Sequence, residues 1–424
     1  MLGGTQGGRG TQGGRGTLVG VVDVGTSKIV CLAIEAREGP RGAGPELRCL
    51  GVGHQRSTGM RGGVVVDPLA LEAAIRQTVA SAERAARQRL EEVYVSVSCG
   101  RLGSRTFVVK ADIAAPSVSR ADVDRLYQAA LSYAESDGRT LIHLNRREYR
   151  LDSAPCGDDP RGMAARQLAA DIHAVTADQG PVTNLMHVVE SAHLEVRGLI
   201  AAPYAAGLAV TTPEERELGV VVIDFGAGTT GLALFAGGQF VHCEVLATGG
   251  HHLTFEIAKK FQAPLAEAER IKALYASVVN AHSGIGERFS YALAGGADGA
   301  SDATAGNGSR AELVDIVELR IGELLARLDE RRRALGAAGL PVVLTGGGSQ
   351  LVGLAEYAAI AMGSDVRVGR TAAMPGLPAG SDQPAFATAV GLARAAVEGS
   401  RMDLSGPTRG GYLASVGRWL AGRS

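Results

Sequence analysis

The chain predicts an α/β protein of two lobes, and three observations carry that reading. Two glycine-bearing hairpins lie far apart in the chain, Asp23-Val-Gly-Thr-Ser-Lys28 and Asp224-Phe-Gly-Ala-Gly-Thr-Thr230. Apolar strands flank each of them: Val19 to Val24 and Ile29 to Ile34 around the first, Val220 to Ile223 and Leu232 to Phe235 around the second. A third glycine turn, Val342-Val-Leu-Thr-Gly-Gly-Gly-Ser-Gln-Leu-Val-Gly-Leu354, follows a further apolar strand and leads into a helix. At 424 residues the chain is also too long for one core, which suits two lobes with subdomains.

The hairpin tips carry the chemistry. Buried strands that end in glycine and hydroxyl residues aim several backbone N–H groups at one spot, where they hold phosphate oxygens. Gly25, Thr26 and Ser27 are expected on one side of the phosphates, and Gly226, Gly228 and Thr229 on the other. Asp23 and Asp224 open the two turns, and a carboxylate there holds Mg²⁺ through water, because this ion keeps several waters and takes few protein ligands. Lys28 either neutralises phosphate charge or is an ordinary strand-start lysine facing solvent. In the third turn Gly346, Gly347 and Gly348, with Ser349, let a base and its sugar come close to the backbone, and the helix start is expected to face the phosphates.

The remaining elements follow in chain order. Residues 1–16 hold a direct repeat, Gly4-Thr-Gln-Gly-Gly-Arg9 and Gly10-Thr-Gln-Gly-Gly-Arg15, with no core residues, and read as a disordered tail. Asp67 as N-cap and Pro68 open a helix expected to reach about Leu90, with Leu71, Ile75, Val79 and Ala82 on its buried face. From Glu92 the period changes to two, with Val93, Val95 and Val97 alternating, and Thr106 to Val109 forms a second β-run. Ser119 and Asp122 make a capping box for the next helix. Residues 92–175 are therefore expected to form a strand-and-helix insertion in the first lobe. Residues 282–310 read as a surface loop with one short strand near Phe289 to Leu293. Leu313, Val317, Ile321, Leu324 and Leu328 then trace a helix to about Arg333, whose Glu and Arg residues form a solvated face or a partner surface.

Composition closes several alternatives. A net charge of −1 argues against nucleic acid held by a broad basic surface. The five cysteines, Cys31, Cys49, Cys99, Cys156 and Cys243, include no C-x-x-C pair and read as reduced core thiols. No apolar run has transmembrane length, and the N-terminus has no apolar signal core, so a cytoplasmic protein is expected.

The C-terminus adds a different chemistry. After a linker at 398–410, residues 411–424 place Tyr412, Leu413, Val416, Trp419 and Leu420 on one face of a helix, with Arg418 and Arg423 towards the other. Such a segment is marginal in water and orders at an interface, where the arginines meet anionic lipid. Docking on the protein's own body is the other reading.

The three glycine motifs, in this order, resemble the phosphate-1, phosphate-2 and adenosine motifs of the actin-like ATPase superfamily. Within it the chain is similar to the FtsA family of bacterial cell-division proteins over about residues 17–424. The segments that carry this are Gly59-Met-Arg-Gly-Gly63, Glu217-Leu-Gly-Val220, Gly249-Gly-His-His-Leu-Thr254, Leu344-Thr-Gly-Gly347 and Thr388-Ala-Val-Gly-Leu392. The resemblance implies a two-lobed actin-like fold of duplicated, ribonuclease-H-like mixed sheets, divided as follows. The first-lobe core takes 17–91, 176–216 and 384–397; the family's 1C insertion takes 92–175. The second-lobe core takes 217–250 and 340–383, and a nucleotide-side subdomain takes 251–339.

It further implies ATP with Mg²⁺ as ligand, Gly249 and Gly250 beside the phosphates, and Glu269 and Lys272 on the ribose and base, where an exposed i,i+3 ion pair is the plain alternative. His251 and His252, adjacent at a helix start, cannot present both rings to one metal. Ala202-Pro203 stands where relatives have a water-orienting Glu-Pro, so slow turnover is expected, with the nucleotide acting as a conformational and assembly ligand. The implied function is an adaptor that anchors the FtsZ ring at the division septum, on the cytoplasmic face of the inner membrane. Its partners would be the FtsZ C-terminal tail on the second lobe within about 251–335, other copies of itself, anionic membrane, and later division proteins on the insertion. The competing readings are a metabolite kinase or phosphatase of the same superfamily and an actin-like adaptor of type IV pilus assembly.

Overall fold

The computed structural model describes residues 16–39, 44–135, 138–279, 287–293 and 305–398. The residues proposed for membrane contact, Tyr412, Leu413, Val416, Arg418, Trp419, Leu420 and Arg423, lie outside the described residues, as do residues 1–15 and the linker from 399.

Two sheets organise the chain. The first has five strands in the order Glu195–Ala201, Glu92–Val97, Thr17–Val24, Lys28–Arg37, Glu46–Arg56. The second has nine: Val366–Val368, Val342–Thr345, Val220–Phe225, Thr230–Ala236, Gln239–Leu246, Gly103–Asp112, Gln167–Asp178, Arg139–Leu151 and Ala154–Cys156. Each begins its central ladder with an antiparallel hairpin and continues with a parallel neighbour on the other side of that hairpin's first strand: Glu92–Val97 beside Thr17–Val24, and Val342–Thr345 beside Val220–Phe225. The same local plan built twice gives the two lobes.

This arrangement corrects the expected start of the insertion. The strand Glu92–Val97 is parallel to both Thr17–Val24 and Glu195–Ala201, and Val93, Val95 and Val97 are fully buried in the first-lobe core. The insertion proper starts after it, with its own core of residues such as Val109, Leu126, Leu141, Leu168 and Ile172. Its sheet runs into that of the second lobe: Gly103 pairs with Glu244, and the Val245 N–H donates to the Leu102 carbonyl at 3.0 Å.

Local signals account for the helices. Asp67 accepts from the Ala70 N–H at 3.1 Å and caps Pro68–Ala86. That helix stops at Ala86, short of the expected Leu90, because Arg87 takes a left-handed conformation (φ 54°) and its N–H closes on Glu83. Ser119 and Asp122 form a reciprocal capping box at the start of Arg120–Ala134. The short strand expected near Phe289 is one half of a hairpin, Arg288–Ala292 paired with Ala305–Ser309. Arg310–Ala334 is a single helix. Its buried Arg332 gives hydrogen bonds to Asp329 and to the Ala338 and Met362 carbonyls, tying the helix end to the next segment. Among the described residues no helix is long and apolar enough to cross a membrane.

Candidate functional site: a two-hairpin cleft

The two hairpins meet tip to tip. In the first, Val24 pairs with Ile29 and the Gly25 N–H donates to the Lys28 carbonyl at 3.0 Å. In the second, Phe225 pairs with Thr230 and the Gly226 N–H donates to the Thr229 carbonyl at 2.9 Å. Gly228 is fixed by this approach, since a Cβ there would stand 2.3 Å from Thr26 Oγ1 of the opposite hairpin. Between and behind the tips is a cavity of about 1030 Å³, lined by Gly25, Thr26 and Ser27 on one side and Gly226, Gly228 and Thr229 on the other.

Asp23 and Asp224 line the same cavity. Asp23 Oδ1 accepts from Ser96 Oγ at 2.6 Å, and Asp224 Oδ2 from Thr388 Oγ1 at 3.2 Å, so each carboxylate keeps a second oxygen outside those bonds. Burial raises the pKa of Asp23, against the hydrogen bond from Ser96 and the charge of Lys28. Burial, with the neighbouring Asp23 charge second, pushes Asp224 up to about 6. Two carboxylates made costly by burial form a site that gains from a cation. Among the described residues no cluster of three or more His, Cys, Asp or Glu is placed to hold a metal. Two carboxylates, each with one oxygen outside its hydrogen bond, fit an ion that takes few protein ligands and keeps most of its water, as Mg²⁺ does.

Lys28 does not face solvent. Its amino group donates to the Ala385 carbonyl and lies 4.7 Å from the Phe386 ring centroid. Burial lowers its pKa, opposed by Asp23 and Asp224. The solvent-facing alternative fails because the strand start is covered by the segment that precedes the last helix.

The third turn departs from expectation in two respects. Gly346 takes φ 80°, and a Cβ there would meet Asp224 Oδ1 at 2.2 Å, so the position demands glycine on both counts. Gly346, Gly347 and Gly348 line the cavity. However, a 3₁₀ turn, Gly347–Gln350, intervenes, and the α-helix starts only at Leu354. Ser349, expected to touch ligand, is buried and gives its hydroxyl to the Gly346 carbonyl at 2.8 Å. It braces the turn from behind.

The floor comes from the second lobe. Gly249 and Gly250 line the cavity, but the Gly250 and His251 N–H groups donate to the Gly226 and Ala227 carbonyls at 3.0 and 2.8 Å. This helix start therefore holds the hairpin itself. His252 Nδ1 accepts from the Gly249 N–H at 3.2 Å. Glu269 and Lys272 also line the cavity as an i,i+3 ion pair, with the Glu269 side chain exposed and the Lys272 side chain half-buried. Lys272 Nζ reaches Glu269 at 2.7 Å, Thr254 Oγ1 at 2.9 Å and the Gly250 carbonyl at 3.2 Å, and Thr254 donates to Glu269 at 2.6 Å. Burial works to raise the Glu269 pKa, but the hydrogen bonds from Lys272 and Thr254 outweigh it and the net direction is down.

Ala202 lines the cavity at the first position of the helix Ala202–Val210, and its methyl group cannot orient water or take a proton. Several contributors carried no sequence signal of their own. Ser96 and Thr388 hold the aspartates, and the Gly63 N–H donates to Thr26 Oγ1 at 3.1 Å. Thr388, Thr254 and Gly63 lie in the segments that mark the family resemblance, which was the one clue to them.

Two lobes with paired hairpins and a glycine turn around one cleft define an actin-like protein. Solved structures agree at the level of fold: the PilM–PilN type IV pilus biogenesis complex (TM-score 0.63, 20% identity, 90% of this chain and 98% of that one) and MreB5 of Spiroplasma citri bound to ADP (TM-score 0.50, 12% identity, 89% and 95%). The family model "Cell division protein FtsA" matches residues 221–391, and that of the SHS2 domain inserted in FtsA matches 100–176. The cell division protein FtsA of Agrobacterium fabrum is 35% identical over 95% of this chain and 94% of its own length; that of Escherichia coli K12 is 30% identical over 95% and 96%. The chain belongs to the FtsA family of cell-division proteins.

Proposed function

We propose that this protein binds Mg²⁺-ATP in the two-hairpin cleft and serves in cell division as an adaptor that holds FtsZ at the membrane. The observation that carries the ligand reading is the meeting of both hairpins, with Asp23 and Asp224, across a single cavity. Asp23 and Asp224 would hold the ion through its water, Gly25 to Ser27 and Gly226 to Thr229 would surround the phosphates, and Glu269, Lys272 and Gly346 to Gly348 would take the sugar and base. A bound ion would supply charge neutralisation of the phosphates there. With Ala202 in the wall, turnover is slow: phosphate release falls below the roughly 1 per second at the bottom of the usual enzyme range.

The adaptor reading is supported by family membership together with the amphipathic pattern of residues 411–424. Self-association would place several such segments on one surface and prolong a hold that a single copy makes weakly. The second lobe would receive the FtsZ tail, and the insertion later division proteins. Flotation with anionic liposomes, with ATP and with or without FtsZ, tests the reading. The full chain should float, carry FtsZ with it, and bind less in high salt. Deletion of 411–424 or Trp419→Glu should abolish flotation; a truncated chain that floats as well as the full one refutes the anchor.

A further inference from the structure

We propose that residues 384–388 are a fourth wall of the cleft, in which Thr388 is the positioning residue that sets the orientation of the Asp224 carboxylate. This rests on the Mg²⁺-nucleotide reading and goes beyond it, since neither hairpin contains these residues. Within five positions the segment reaches all three glycine motifs. The Ala385 carbonyl accepts from Lys28 of the first hairpin, Thr388 Oγ1 donates to Asp224 of the second, and the Pro384 carbonyl accepts from the Gly346 N–H of the third at 3.1 Å.

The segment is also rigidly mounted. Ala387 and Ala389 are fully buried, and the helix Ala387–Glu398 crosses Ala202–Val210 so closely that a Cβ on Gly391 would lie 1.6 Å from the Ala205 carbonyl oxygen. A donor fixed on such a helix selects one oxygen of the carboxylate and thereby fixes where the other points. Asp224 Oδ1 lies beside Gly346, so the selected orientation directs it along the wall shared by the second and third motifs. Without the hydroxyl the carboxylate can rotate, and the water-mediated hold on the ion weakens while contacts to the base and sugar stay.

The test is ATP binding by calorimetry to the purified full chain, in MgCl₂ and in EDTA, for wild type, Thr388→Val, Thr388→Ala and Thr388→Ser. The expected result is about a tenfold loss of affinity for Val and Ala in magnesium, no difference from wild type in EDTA, and recovery with Ser. The Ala variant removes the hydroxyl without adding bulk should Val not fold. Wild type that needs magnesium while Val and Ala match it overturns the role of Thr388 alone, as does an equal loss in magnesium and EDTA, which marks a merely structural residue. Wild type that binds equally in both overturns the magnesium reading and this inference with it.

Discussion

His143 shows how a single side chain outside the cavity lining shapes the cleft. It is buried against the rings of Tyr204 and Phe240, and its Nε2 accepts from the Ala201 N–H at 2.9 Å, one residue before Ala202 in the cleft wall. Burial lowers its pKa from 6.5 to about 3. His173, also lowered to about 3 chiefly by burial, sits against the same Phe240 and hydrogen-bonds Ser104. The unfolded chain takes up these protons first, so the stability they carry is complete above pH 6.5 and is lost as pH falls from there towards 3. Each can steepen the loss by up to about 1.4 kcal/mol per pH unit. His143→Gln keeps an acceptor for Ala201 but cannot titrate; urea unfolding at pH 7.5, 6 and 5 should show a shallower decline than in wild type. An unchanged slope would mean that His143 charges freely in the folded state.

At the scale of elements, the clearest local device is the capping box of the insertion helix. The Ser119 N–H donates to Asp122 Oδ2 at 2.8 Å and the Asp122 N–H to Ser119 Oγ at 3.3 Å, and the helix then packs Val123, Leu126 and Ala130 into the insertion's own core. Ser119→Ala should cost about 1 kcal/mol. Hydrogen exchange should speed up across 120–134 and stay unchanged in the hairpin strands, because this core is distinct from those under the hairpins. Protection lost equally in both lobes would show that the insertion does not open by itself. Such devices are legible because both partners lie within one turn of the chain. The two hairpins were legible for the same reason, and so were the aspartates at their mouths. Lys28 was not: its neighbours Ala385 and Phe386 are more than three hundred residues away in sequence, and no local pattern says what will cover a strand start.

For the whole molecule, the decisive feature is the seam where the insertion joins the second lobe. Only Gly103 and Glu244 pair directly between these two strands, flanked by the Val245 to Leu102 bond and by the Cys243 N–H donating to Ser104 Oγ at 2.7 Å. The insertion thus springs from the first lobe but joins its sheet to the second. Directly paired antiparallel residues stand at Cα separations of roughly 4.5–5.5 Å, within disulfide range. Gly103→Cys with Glu244→Cys should therefore crosslink under mild oxidation, seen as a mobility shift reversed by reductant. Failure to form that bond in the folded protein would detach the insertion from the second-lobe sheet.

By itself the sequence determined what short-range chemistry controls: the glycine hairpins, the capped helices, the amphipathic spacing at the C-terminus, and through its motifs the family. Tertiary structure alone decided the partners. The valines of Glu92–Val97 suit any buried sheet, and only pairing on both sides placed them in the first lobe. Ser349 and Thr388 are both hydroxyl residues in the first turns of helical segments, Gly347–Gln350 and Ala387–Glu398, yet one gives its hydroxyl to a backbone carbonyl and the other to an aspartate of the second hairpin. Side-chain pattern reports whether a residue is buried and with what period, whereas the identity of its neighbour depends on closing long loops. That choice is settled by the packing of the entire chain.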